Sequence, residues 1–128
     1  MPIADTNNLI RALLITQPPL TAIVSTRIYS PRLPEGATLP ALTFFTRGGI
    51  SNPHIPGIVQ PSVQFDCWAN DPITARNVYR KLYDALQGYE GKGSILSVVE
   101  EMQGQDLEDD IPGYFRVLSF FKFIIAAG

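Results

Sequence analysis

The chain has 128 residues and a mass of 14.1 kDa, so average domain lengths predict a single domain over 1–128. A chain of this mass folds to about 6,700 Å² of surface from about 20,000 Å² unfolded, enough burial for a core without metals or disulfides. It is 45% hydrophobic and only 17% charged, which excludes a disordered chain, and its net charge of −2 gives no global basic field to hold nucleic acid. One cysteine excludes an internal disulfide, and a single histidine argues against a His-rich zinc site. So little charge on a small domain suggests surface reserved for a partner.

The opening MPIADTNN lacks the basic region and long apolar stretch of a secretory signal. The most apolar segment, Tyr114 to Ala127, is too short for a helix that spans a bilayer, and Arg116 and Lys122 interrupt it. No membrane contact is expected. A reducing compartment suits the unpaired Cys67.

The first predicted element is a helix from Thr6 to Thr16, with Leu9, Ile10, Leu13 and Leu14 on one stripe. Asp5 or Thr6 would cap it, and Pro18 and Pro19 would stop it. Leu20 to Val24 reads as one short helical turn, and Arg27 to Tyr29 as a brief strand. Ser30 to Pro40 carries three prolines and a glycine and reads as a loop. Ala41 to Arg47 is β-branched and aromatic, a strand. Gly48 to Pro61, rich in glycine and proline, reads as a long exposed loop.

Ser62 to Ala69 is a clear strand, with Val63, Phe65 and Cys67 on one side and Gln64, Asp66 and Trp68 on the other. Asp71 and Pro72 open a second helix that runs to about Gln87. Its apolar face is Ala75, Val78, Tyr79, Leu82 and Leu86, and Gly88 suits a left-handed cap. Tyr89 to Gly93 reads as a connector, Ser94 to Met102 as a strand and Gln103 to Gly113 as an acidic loop. In the closing strand, Tyr114 to Ile125, the side Phe115, Val117, Phe121, Phe123, Ile125 is apolar but for Ser119. The other side is mixed: Tyr114, Arg116, Leu118, Phe120, Lys122 and Ile124. The order predicts an α+β domain: a mostly antiparallel sheet of four to five strands with two helices on one face.

Few residues suggest chemistry. Cys67 with His54 would be a nucleophile and base, but Cys67 shares a face with Val63 and Phe65, where a structural cysteine sits. His54, between prolines, reads as an ordinary loop residue rather than a pH-sensitive contact. Asp66 beside Trp68 lacks the second carboxylate that acid–base hydrolysis needs, so that surface reads as polar or subunit-facing with one aromatic anchor. The acids from Glu100 to Asp110 do not match a calcium loop; a solvated segment, or a field that repels passing DNA, fits them. No phosphate-binding glycine motif is present, and no cofactor is expected.

Taken in order, several segments resemble the tail completion proteins of long-tailed bacteriophages, also called tail terminators or head-to-tail joining proteins. They are Leu9-Ile10-Arg11-Ala12-Leu13-Leu14 before Pro19 to Val24, and Thr26 to Tyr29 before Leu33 to Leu42. Val63 to Ala69 entering the second helix and the closing Tyr114 to Phe120 complete the set. The resemblance implies a ring, typically of six subunits, that caps the tail tube and offers a surface to the head connector. It implies no enzymatic activity, a place at the head-proximal end of a virion tail, and assembly in the host cytoplasm. The partners would be further copies of the chain, the tail tube protein and the head-completion or connector protein, with DNA only as passing cargo. On this view Ile50, His54, Ile55, Ile58, Arg116, Leu118, Phe120 and Lys122 would meet a subunit or partner. Asp106, Glu108, Asp109 and Asp110 would face the lumen. The alternative is a small α+β ligand-binding or regulatory domain with a pocket near Trp68.

Overall fold

The computed structural model describes residues 6–30, 32–34, 36–51, 58–90, 95–108 and 114–126. Two short helices open the chain. Helix α1 (Thr6–Leu14) buries Ile10 and Leu14, one turn apart. Pro18 and Pro19 do more than end it. They occupy the first positions of α2 (Pro18–Val24), where a missing amide costs nothing, and Leu20 and Val24 are buried below. The expected single helical turn at Leu20 is therefore a second helix.

The strands are β1 (Ile28–Tyr29), β2 (Ala41–Ser51), β3 (Ile58–Ala69), β4 (Tyr89–Glu90), β5 (Ile95–Glu108) and β6 (Phe115–Ala126). Helix α3 (Pro72–Leu86) follows β3. The fold is α+β. Among the described residues there are three helices rather than two, and one six-stranded sheet ordered β1-β2-β3-β6-β5-β4. Its long strands pair antiparallel, and only β1 runs parallel to its neighbour, so the sheet is mixed.

Two predicted loops are partly strand. In the Gly48 to Pro61 stretch, Gly49, Ile50 and Ser51 of β2 pair with Pro61, Gln60 and Val59 of β3. Pro61 is tolerated there because the β3–β6 ladder is interrupted at Gln60 and Pro61, so no bond on that side needs its missing amide. The acidic segment after Met102 continues β5 to Glu108, paired with β6 beyond a register shift between Met102 and Gln105. Glycine and proline hid the first extension and polar side chains the second, because a ladder needs only backbone groups and an open side.

The core lies between the sheet and the helices. Phe65 sits at its centre, with ring centroids 5.9 Å from Phe44, 5.5 Å from Phe121 and 6.1 Å from Phe123. Each buried ring contributes about 1.5–3 kcal/mol. Helix α3 crosses β3, β5 and β6, and α2 packs on α3. Asp71 caps α3 as predicted: its carboxylate accepts from the Thr74 amide at 2.8 Å. Gly88 takes φ +74° just after the helix, a conformation that glycine adopts without strain.

Candidate assembly interface

Strand alternation sorts β6 into two sides. Val117, Ser119, Phe121, Phe123 and Ile125 are buried, while Arg116, Leu118, Phe120, Lys122 and Ile124 are half-buried on the opposite face of the sheet. Register sets the neighbours of that second face. Trp68 lies opposite Arg116, Asp66 opposite Leu118, Gln64 opposite Phe120 and Ser62 opposite Lys122. From β2, Phe45 lies opposite Gln64 and Thr43 opposite Asp66.

A polar and aromatic network crosses this face. Arg47 Nη1 donates to Gln64 Oε1 at 3.2 Å, and its guanidinium lies 5.1 Å from the Phe120 ring centre. Gln64 Nε2 donates to Asp66 Oδ2 at 3.1 Å. Arg116 Nη1 donates to the other carboxylate oxygen at 3.3 Å and stacks 5.4 Å from the centre of Trp68. The Trp68 indole N–H donates to Thr43 Oγ1 at 2.9 Å. On the far side Ser62 Oγ donates to Glu101 Oε1 at 2.7 Å. The side chains are thus held in place before any partner arrives, which lowers the entropy cost of binding.

Asp66 is only 4% exposed, although no helix covers it from this side. Burial pushes its carboxyl above the usual range, against the pull of Gln64 and the Arg116 charge. Arg116 keeps a buried Nε with no partner among the described residues. Leu118, Phe120 and Ile124, with Trp68, give the face an apolar middle, and Arg47, Arg116 and Lys122 give it basic surroundings. This composition suits a protein contact.

The predicted interface residues divide. Arg116, Leu118, Phe120 and Lys122 share this face. Ile58 opens β3 and pairs with Ala126. Ile50 lies in β2 opposite Gln60, with only its backbone described. His54 and Ile55 lie outside the described residues. Of the acids, Asp106 belongs to β5 and bonds Arg76 of α3 at 2.7 Å, on the helix side. Glu108 ends β5, and Asp109 and Asp110 lie outside the described residues. Glu100 accepts the Tyr79 hydroxyl, which burial and that carboxylate push up to a pKa of about 12. Arg47, Thr43 and Glu101 were missed as members of the face, because only cross-strand register brings them to Gln64, Trp68 and Ser62.

The chemistry-bearing candidates are elsewhere or occupied. Cys67 is fully buried, and burial pushes its thiol well up, so little nucleophilic thiolate forms. Among the described residues no group of His, Cys, Asp and Glu could hold a metal ion, and no helix is long and apolar enough to cross a membrane. A cleft of about 450 Å³ lies between α3 and β5, lined by Arg76, Tyr79, Arg80 and Tyr83 among others. It sits on the helix side of the sheet, away from Trp68.

No family model and no curated protein matches the sequence. Solved structures do match. One is a chain of a particle described as the virion of a native gene transfer agent. The two superpose with a TM-score of 0.62 at 14% identity, over 92% of this chain and 95% of that one. At that identity the likeness establishes a shared fold, and it does so across nearly the whole of both chains.

Proposed function

We propose that this chain is a structural protein of a phage-like virion. Copies of it form a ring, of six subunits, that ends the tail tube and offers a surface to the head connector. The observation that carries this reading is the fold shared with a chain of a gene transfer agent particle over 92% of this sequence. The tail-completion resemblance of the sequence narrows the virion role to the head-proximal end of the tail. The protein acts by assembly, and its working surface is the open face of the sheet.

On this reading Leu118 and Phe120 are buried in the assembled particle, with Arg116 and Lys122 at the rim. Ile50, His54, Ile55 and Ile58 reach a neighbouring subunit or the tube. Glu108, Asp109 and Asp110 line a lumen whose negative charge keeps DNA phosphates from sticking. Asp106, already engaged by Arg76, contributes less to that field. Co-sedimentation with purified tail tubes tests the role. Retention at tube ends, seen by negative-stain microscopy, supports it. Absence from the tubes at every concentration contradicts it.

A further inference from the structure

Two strands of the sheet are far longer than the strands outside them. β2 runs from Ala41 to Ser51, but β1 covers it only at Leu42 and Thr43. β5 runs from Ile95 to Glu108, but β4 covers it only at Ser97 and Val98. Among the described residues no strand pairs with the rest of either outer edge. Unpaired edges of this kind are templates for another strand.

The directions of the edge amides follow from the ladders. Leu42 N donates to Arg27 O, so Leu42 faces away from β3. Alternation then turns Phe44 and Thr46 outward as well. On the other side Gly88 N donates to Val98 O, so Val98 faces away from β6. Val98 stands opposite Phe123, and both extra residues beyond it lie on β5, so the parity of β6 carries on unbroken. Asp106 opposite Val117 and Glu108 opposite Phe115 therefore also point their amides outward.

The two edges differ in charge. The stretch from Arg11 to Arg47 holds four arginines and one acid, Glu35. Arg11 bonds the Ile28 carbonyl, Arg27 bonds the Pro40 and Ile23 carbonyls, and Arg47 bonds Gln64, so among the described residues no carboxylate pairs with these three. β5 holds Glu100, Glu101, Asp106 and Glu108 with no base. Among the described residues, of Glu100, Glu101 and Asp106 only Asp106 meets a cation, Arg76. Exposed Val99 adds an apolar contact on the same strand.

We infer that the β2 edge of one copy pairs with the β5 edge of the next, so that the sheet continues from subunit to subunit. The occupant of each edge is a second copy of this chain. Head-to-tail contact between two different patches is what a closed ring requires. The charges enforce it: acid repels acid when two β5 edges meet, whereas β5 meeting the arginine-bearing edge is attractive. The inference deepens the ring reading above and rests on it.

Complementation between two blocked variants tests it. Thr46→Pro removes an outward amide from the β2 edge, and Asp106→Pro removes one from the β5 edge, while neither takes a bond from the neighbouring ladder. Circular dichroism checks folding. A variant that does not fold is replaced by Arg47→Glu for the first edge or Glu108→Pro for the second. Each variant alone is expected to be a single chain by light scattering under conditions where the wild type assembles. Mixed in equal amounts, they are expected to give a species of twice the mass of one chain and nothing larger, since only one pair of edges is intact. Dimers formed by either variant alone, or wild-type rings formed by both, overturn the edge pairing and leave the ring reading standing. A wild type that never assembles overturns both.

Discussion

Gly104 sits in β5 beneath α3 with no room for a side chain. A Cβ there would lie 2.7 Å from Val117 Cγ1 and 2.9 Å from the Tyr79 ring, closer than carbon atoms pack. Gly104→Ala is therefore expected to cost about 1–3 kcal/mol through overpacking, read as a lower urea midpoint with an unchanged slope. Two aspartates predict opposite pH effects. Asp66 holds its proton more tightly when folded, because burial disfavours the charge. The stability from that proton is full below the unfolded carboxyl value and is lost as pH rises through the higher folded one. Asp71 is held below its usual value by the Thr74 amide and hydroxyl. Its contribution is present above the unfolded value and is lost as pH falls through the folded one. Carboxyl NMR titration should find Asp66 above and Asp71 below the ordinary aspartate range. The Asp71→Ala variant should show a lower melting temperature at neutral pH and a smaller loss of it on acidification.

Among the elements, α3 and the middle of β3 were the most legible. Asp71-Pro72 and the 3.6-residue apolar stripe specify the helix, and strict alternation from Val63 to Cys67 specifies the strand. The buried and outward sides of β6 were legible for the same reason. The outer half of β5 was not. Its side chains are polar, Gly104 lacks one, and two extra residues break the alternation, so the strand is visible only through its register with β6. The ends of β2 and β3 were hidden by glycine and proline, which the irregular ladder accommodates. Of the candidate site, the residues on one strand were readable, while Arg47, Thr43 and Glu101 depended on pairing across strands. The open face carries its own prediction. Phe120→Asp places a charge at its apolar middle, where Arg47 stacks. The variant is expected to keep its circular dichroism spectrum and to lose assembly, measured as the loss of the high-mass peak in size exclusion. An unchanged elution profile would reject this face as the interface.

For the whole molecule, the low charge noted in the sequence has a location. Helix α3 crosses one side of the sheet with α2 packed on it, and the opposite side keeps Leu118, Phe120, Ile124 and Trp68 only half-buried. The residual charge is skewed, with arginines toward the β1 and β2 edge and acids along β5. On the proposed reading, neighbouring subunits and partners cover this surface. Light scattering coupled to size exclusion, over a concentration series with and without tail tubes, tests this most directly. A discrete species of six times the single-chain mass is expected, at high concentration or on the tubes. A single-chain mass throughout, with no retention on the tubes, would contradict it.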